Sequence, residues 1–576
     1  MNILGINYAF HDSSACVLRD GRIEVAIEEE RLTREKHTRE FPHHAITRCL
    51  EFAGLTPGDV DRVAFSIRPS LHAGRKVAYA LRHAHRSVPF LKHEFLWSFF
   101  RQRTVEKWIH ATWGDARRAP PIDWVPHHLA HAVGSFLVSP WEEAALLSLD
   151  GSGEWATSLL GHGRGTGFET YAQSFFPHSL GSVYEAVTAF CGFKPMYDEG
   201  KTMGLAPLGD PERFHREASR IVRVTGDGRI EVDLDYFGFQ FWEHRYCSPR
   251  FLETFGTPRE PGAPFEQHHL DVAAAFQRVL EEAALGLCRV LRERTQARHL
   301  VVAGGVALNS VMNGRILREA GFDDLYVMPA AGDNGTAIGA ASYSWCIEAG
   351  QPRPQVHDDP YLGTRYDDAA IRRTLRASKL DATCHEDIEA ETARLLRAGR
   401  IVGWFQGAME IGPRALGNRS ILADPTRPDM KDRINAEVKH REAFRPFAPA
   451  VVVERAREFF DIEVEAPFML KVCDVLPGKR AQLPAITHVD GSARLQTVRR
   501  ETNPRFHRLL ECFGEASGVP VLLNTSFNVM GEPIVETPVD AIRCFFSTGL
   551  DDLVLGNHVL SKPDRRGRCG TGGDAP

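Results

Sequence analysis

Apolar and polar positions alternate with a period of two at the start of the chain, where Asn2 to Ile6, Ser13 to Leu18 and, after an Asp20-Gly21 turn, Ile23 to Ile27 read as strands. A polar loop, His11-Asp12-Ser13-Ser14, separates the first two. The same grammar returns at Ala144 to Leu149, a loop Asp150-Gly151-Ser152-Gly153-Glu154, and a strand from Ala156 to Leu160, which reads as a weak internal repeat. Helical periodicity from about Leu270 to about Glu293 precedes an apolar strand, Leu300 to Ala303, that ends in Gly304-Gly305-Val306-Ala307-Leu308-Asn309. The two glycines let a backbone approach a ligand closely. Pro352, Pro354 and Pro360 then break all periodicity over 351–365 and predict a linker between a domain over 1–350 and a second over 366–561. Residues 562–576, rich in Arg, Gly and Asp, are expected to be a disordered tail.

Duplicated strand, polar loop, strand units are how actin-, hexokinase- and Hsp70-type folds hold a nucleotide, because backbone amides of each loop point inward at one anion. The length of 576 residues is too great for one core, so an α/β protein of two domains is expected. Hydrophobic content of 43%, charged content of 25% and a net charge of -6 are globular values with no global pull toward nucleic acid or anionic membrane. Eleven scattered cysteines without a CxxC pair predict reduced thiols, and the absence of a leader-like start or an apolar run of about 18 residues predicts a cytoplasmic protein.

Residues 75–108 interleave Arg75, Lys76, Arg82, Arg86, Lys92, Arg101, Arg103 and Lys107 with Phe90, Phe95, Trp97, Phe99, Phe100 and Trp108. Helical spacing favours an amphipathic insertion whose aromatics pack inward. An acceptor-binding lid or a homodimer contact is the alternative, and a nucleic-acid or membrane surface is the reading that the spacing disfavours.

His127 and His131 stand four residues apart, so on a helix both rings leave one face and can share a metal, while His128 points elsewhere. Asp150 ends a strand in a glycine-rich loop and Asp333 lies in Gly332-Asp333-Asn334-Gly335. Two imidazoles with two carboxylates suit iron(II), manganese or zinc. The second domain gathers Arg414, Arg419, Lys439, Arg441, Arg445 and Arg494 in short polar stretches shaped by Gly412, Pro413, Gly417 and Pro446, which predicts a pocket for phosphate groups.

These tracts resemble the O-carbamoyltransferases of antibiotic tailoring and nodulation-factor synthesis. The resemblance is carried by His127 to Ala132, Ser148 to Gly151, Asp198 to Ala206, Gly304 to Asn309, Gly332 to Gly335, Gly412 to Ser420, Val438 to Glu442, Phe444 to Pro449 and Leu523 to Asn528, in family order along nearly the whole chain. It implies an actin-like (ASKHA) ATPase-fold domain, like the proteins that form threonylcarbamoyladenosine in tRNA, followed by a YrdC-like α/β domain. It implies that His127, His131, Asp150 and Asp333 hold iron(II) against the phosphate of a carbamoyl-adenylate, with Gly304, Gly305, Asn309 and Lys201 around the nucleotide. It implies that Arg414, Lys439, Arg445, Arg494 and Ser526, with Asn524 nearby, bind carbamoyl phosphate and ATP with Mg. His11 is the candidate for activating an acceptor hydroxyl, with Asp12 orienting it, because imidazole takes protons near neutral pH.

The expected reaction makes carbamoyl-adenylate in the second domain, moves it inside the protein, and transfers the carbamoyl group to a hydroxylated small molecule, not to nucleic acid. Transfer to a tRNA-linked threonyl group and a non-transferring nucleotide-binding regulator are the competing readings. Gly200-Lys201-Thr202 mimics the end of a P-loop, but Pro195 stands where that loop needs a glycine.

Overall fold

The computed structural model describes residues 1–83, 86, 88–114, 119–241, 246–442 and 444–563, without the side chains of 89 and 91–99. Two compact units emerge. Unit 1 comprises Met1–Gly363 and takes in Ile411–Pro413 and Phe468–Cys473, and unit 2 holds the remainder. Residues 564–576 of the expected tail and the side chains of Lys92, Phe95, Trp97 and Phe99 lie outside the described residues.

Unit 1 contains two five-stranded sheets. The first is built from β1 (Asn2–Asn7), β2 (Ser14–Arg19), β3 (Arg22–Glu28), β4 (Arg62–Phe65) and β5 (Ile122–Trp124), in the order β3-β2-β1-β4-β5. The second uses β6 (Glu143–Leu149), β7 (Ala156–Arg164), β8 (Gly167–Phe175), β11 (His299–Ala303) and β12 (Asp324–Tyr326), in the order β8-β7-β6-β11-β12, while β9 (Val222–Val224) and β10 (Ile230–Val232) form a separate hairpin. In each sheet an antiparallel meander of three strands is followed by two strands that join in parallel. Identical order and direction in both halves give the duplication that the two polar loops had signalled. The central strands β6 and β11 are buried along nearly their whole length, and so read as continuous apolar runs rather than alternating ones.

Each half ends in a helix, His127–Leu137 after β5 and Thr336–Tyr343 after β12. These two helices meet backbone to backbone. A Cβ on Gly134 would lie 2.2 Å from Gly339 Cα, and one on Gly339 would lie 1.9 Å from Ala130 O. Of residues 75–108, those within Ala73–His83 and Val88–Trp113 are helical, as the spacing predicts, and 84, 85 and 87 lie outside the described residues. Trp108 turns inward against Phe41 and Phe65, and Phe90 is buried, whereas Phe100 faces solvent. Of the proline-rich segment expected as a linker, residues 351–363 belong to unit 1 and Thr364 and Arg365 to unit 2. Arg353 donates to the carbonyls of Phe136, Leu137 and Ser139, His357 N to Val138 O, and Ala26 N to Leu362 O.

Unit 2 is an α/β domain around a mixed eight-stranded sheet of β13 (Thr383–Cys384), β14 (Val402–Phe405), β15 (Arg419–Ala423), β16 (Ala448–Val452), β20 (Gln496–Val498), β21 (Val521–Ser526), β22 (Asp552–Leu555) and β23 (His558–Ser561). Their order is β13-β23-β22-β14-β15-β21-β16-β20, and the short β17 (Phe460–Asp461), β18 (Val472–Val475) and β19 (Ser492–Arg494) make a smaller sheet. The helices Ile388–Arg397 and Pro504–Ser517 pack on one face, around Trp404, Leu422, Ala450 and Leu522. Among the described residues no helix is long and apolar enough to cross a membrane.

The glycine crossing is testable. Gly339→Ala is expected to destabilise unit 1 by about 1–3 kcal/mol through overpacking. Gly226→Ala, with nothing within 4 Å of the added methyl, should stay within about 0.5 kcal/mol of wild type in the same thermal unfolding experiment.

Candidate functional site

The duplicated halves place their chemistry at equivalent positions. The β1–β2 loop carries His11 and Asp12, and its counterpart after β6 carries Asp150. The helix after β5 opens with His127, and the turn Asp333–Gly335 leads into the helix after β12. All of these lie at the carboxyl ends of parallel strands, where open α/β sheets bind their ligands.

The expected quartet converges. His127 Nε2 lies 3.3 Å from Asp333 Oδ1 and 3.5 Å from Asp150 Oδ2, and His131 Nε2 lies 3.4 and 4.0 Å from the same two oxygens. The two Nε2 atoms are 3.1 Å apart, and one donor atom from each of the four residues lies within 4.8 Å of every other. All four side chains are buried. Two ring nitrogens at that distance repel as lone pairs unless a proton or a cation lies between them. Bonds of roughly 2.0–2.2 Å from one ion to imidazole nitrogen and carboxylate oxygen span such separations.

The surroundings fix this donor set. The His127 ring nitrogen Nδ1 sits 3.1 Å from Ser66 O, so it carries the proton and leaves Nε2 free to ligate. Gly305 N donates to Asp150 Oδ1 at 2.9 Å, and Asp333 Oδ2 is buried with no hydrogen-bond partner among the described residues. Burial favours a neutral His127 ring, but the carboxylates of Asp333 and Asp150 outweigh it and raise its pKa well above the ordinary value. Burial likewise disfavours the Asp150 carboxylate, yet the bond from His127 and the charges of both rings draw its pKa down to about 2. His128 does point elsewhere, to Ser148 Oγ and Ala156 O, and burial drops its pKa to about 3.

His11 Nδ1 lies 2.8 Å from Asp12 Oδ2, and the other Asp12 oxygen lies 2.7 Å from His37 Nδ1. Burial opposes charge on His11, but Asp333, Asp12 and Asp150 together push its pKa up to about 10. Gly304, with φ of 92°, passes so close to Leu149 O that a Cβ would sit 2.2 Å from it, which is why glycine is required there. Asn309 caps the Ser310–Glu319 helix through Met312 N, and its Nδ2 donates to Gln277. Lys201 pairs with Asp198 at 3.1 Å on the helix Glu199–Leu205, so Gly200-Lys201-Thr202 is helical and forms no phosphate loop.

In unit 2 the cations also gather. Burial lowers the pKa of Arg414 to about 10, with Arg445 adding to the effect, and that of Arg441 to about 9, again with Arg445. Arg494 is depressed well below the guanidinium range by burial and by Arg414, Arg441 and Arg445. Arg414 Nε and Arg494 Nε are buried without partners among the described residues. Like charges kept this close in low dielectric call for an anion. Lys439 holds the adjoining turn through Ser526 O, Ser526 Oγ and Asn528, and Asn524 Nδ2 donates to Ala415 O beside Arg414. Arg419 stands apart from this cluster: it is fully buried, bonds to the carbonyls of Gln406, Gly407, Asn418 and Thr364, and stacks on Phe405.

Sequence reading missed His37, the Ser66 carbonyl, and Glu154, whose carboxylate accepts from His127 N and Arg68 N. It also missed Glu185, beside Gly151, whose carboxyl burial and Glu199 push up to about 8. None of these has a motif. His37, Ser66 and Glu185 are isolated positions, and Glu154, although it closes the quoted Asp150 loop, meets His127 only through the fold.

Comparison with known proteins gives two matching family models, "Carbamoyltransferase N-terminus" over residues 2–342 and "Carbamoyltransferase C-terminus" over residues 393–562. An uncharacterized protein of Synechocystis sp. is 41% identical over 97% of each chain. Nodulation protein NolNO of Sinorhizobium fredii is 38% identical over 96% of this chain and 80% of its own. The 3'-hydroxymethylcephem-O-carbamoyltransferase of Streptomyces clavuligerus is 33% identical over 64% of this chain and 65% of its own.

Protein stripped by chelator is expected to bind one divalent cation at the quartet, and His127→Ala or Asp333→Ala to weaken that binding by at least about a hundredfold. Because a raised His127 pKa means the cation must displace a proton, affinity should rise with pH. Calorimetry in buffers of different ionisation enthalpy should then show proton release on binding at pH 7.

Proposed function

The chain belongs to the carbamoyltransferase family, and we propose that it is an ATP-dependent O-carbamoyltransferase acting on a hydroxyl of a small molecule. The observation that carries this reading is the pairing of two buried clusters of opposite character, a nitrogen and oxygen donor set in unit 1 and mutually depressed guanidiniums in unit 2. The first fits a cation, the second a polyanion.

Unit 2 is assigned the activation step. Carbamoyl phosphate and ATP, the latter with Mg, together carry several negative charges, and the forks of Arg414, Arg445 and Arg494 bind phosphate oxygens in pairs while Lys439 fixes the turn of Ser526 and Asn528. Release of phosphate and pyrophosphate leaves carbamoyl-adenylate. Atom balance requires one water, consumed in freeing carbamate from its phosphate before the carbamate oxygen attacks the α-phosphorus of ATP.

Unit 1 is assigned the transfer. The acceptor oxygen bonds to the carbamoyl carbon, the bond from that carbon to the AMP oxygen breaks, and the hydroxyl proton passes to His11. His127, His131, Asp150 and Asp333 would hold iron(II), or manganese or zinc, which when bound neutralises the nucleotide phosphate and improves AMP as a leaving group. Balancing the charges of Asp150 and Asp333 also removes two of the three carboxylates that raise His11 and returns its ring toward the range where it accepts a proton. Asp12, held between His11 and His37, keeps that ring oriented. Gly304 and Gly305 bring backbone close enough for a nucleotide, with Asn309 and Lys201 at the edges of the same unit.

The acceptor is proposed to be a hydroxylated small molecule because the cephem relative is named for such a substrate. His11→Ala should lower carbamoyl transfer by about 10²–10⁴-fold while pyrophosphate release dependent on carbamoyl phosphate persists. Arg494→Ala should instead cut pyrophosphate release by about ten- to a hundredfold, and transfer, which consumes the adenylate, should fall with it. Loss of both half-reactions in His11→Ala, or full pyrophosphate release without carbamoyl phosphate, contradicts the scheme.

A further inference from the structure

β1 and β4 run parallel and side by side with Ile6 opposite Phe65, so Asn7 and Ser66 occupy neighbouring carboxyl ends, and both are fully buried. Asn7 commits its whole hydrogen-bonding capacity at this point. Its Nδ2 donates to His11 O at 3.1 Å and Asp12 O at 2.9 Å, and its Oδ1 accepts from Ala9 N and from the Ser66 hydroxyl, each at 3.0 Å. An amide has two donor hydrogens and two acceptor lone pairs, so none is left over. The orientation of the amide is therefore dictated, since only its oxygen can take the Ala9 N–H.

The two donated bonds fall on the loop that needs them. Asp12 has φ of 52°, a left-handed conformation that residues with side chains seldom adopt without local hydrogen bonds to hold it. That turn lets its carboxylate reach His11 and His37 together. On the other side of the relay the Ser66 carbonyl takes the Nδ1 proton of His127, and two residues on, Arg68 N shares the Glu154 carboxylate with His127 N.

We infer that Asn7, acting through Ser66, is a positioning residue that ties the His11–Asp12 loop to the ring of His127, so that a displacement at one is transmitted to the other. The inference rests on reading His11 as the acceptor-side residue and His127 as a metal ligand. Its chemical sense is that transfer needs the hydroxyl and the acyl phosphate aligned to a fraction of an ångström, and two loops built on different strands hold that alignment only if something fixes one against the other.

The test uses the full-length protein. Ser66→Ala removes the hydroxyl link and keeps the carbonyl, and Asn7→Asp keeps size and both acceptors while losing the two donated bonds. Thermal unfolding establishes that each variant is folded. Both variants should bind Co(II) about 10–100-fold more weakly than wild type after chelator treatment. With ¹⁵N-labelled histidine and no metal present, the imidazole resonances of His11 and His127 should shift together in each variant while those of His162, which pairs with Glu143, stay put. Movement of only one of the two rings, or of neither, overturns the relay. Wild-type protein that binds no Co(II) would remove the metal reading, and the joint ring shifts would still decide for or against the relay.

Discussion

The close crossing of the His127–Leu137 and Thr336–Tyr343 helices is the constraint from which the rest of unit 1 follows. With backbones in contact at Gly134 and Gly339, no side chain separates the helices there, and Ala130 O lies against Gly339 one residue before His131. That approach brings the first turn of one helix and the turn preceding the other into a space where imidazole and carboxylate atoms lie 3.3 to 4.0 Å apart. Any side chain at the crossing would push Asp333 away from both histidines. The strands add the remaining donor, because β6 is the central strand of the second sheet and delivers Asp150 to the same point.

The two units handle buried charge in opposite ways. In unit 1 the carboxylates and imidazoles are mutually attractive, and Ser66, Gly305 and Glu154 engage His127 Nδ1, Asp150 Oδ1 and His127 N around the centre. In unit 2 the guanidiniums repel one another, and the shifts of Arg414, Arg441 and Arg494 record the cost. Such a cluster weakens the fold on its own account, since burial and mutual repulsion outweigh the one nearby carboxylate, Glu442, at Arg441. Glu410 offsets part of this by holding the intervening loop, with one carboxylate oxygen accepting from Leu416 N, Asn418 N and Arg419 N. A polyanionic ligand would therefore bind to a site already assembled, with its repulsion built in and waiting to be relieved.

Much of this was legible in the sequence. The apolar segments at Asn2 to Ile6 and Ala144 to Leu149 mark real central strands, and the i, i+4 spacing of His127 and His131 places both rings as expected because the segment is helical. The convergence of the four side chains was legible because Asp150 and Asp333 sit beside glycine, His127 opens its helix, and His131 follows it by one turn. The full repeat was not: β4, β5 and β12 are three or four residues long and separated by insertions, too short to carry a period. Arg419 was misleading for a different reason. Its neighbours shape a loop in the sequence, but its guanidinium fits four carbonyls and an aromatic face, and nothing in a local pattern separates a buried structural arginine from a ligand-binding one.

His127 stands at the amino end of its helix, and that position resolves an apparent conflict in its electrostatics. The unsatisfied N–H groups of a first turn present partial positive charge, which disfavours an imidazolium, while Asp150 and Asp333 favour one. Glu154 enters this balance twice. Its carboxylate caps His127 N, a position that the preceding proline leaves without a side-chain cap, and it cancels part of the end charge. The helix end is therefore stable with a neutral ring at its first position, provided that another positive charge sits between the two carboxylates. A cation there would supply that charge without a proton, and the same bonds that orient the ring would leave Nε2 facing it.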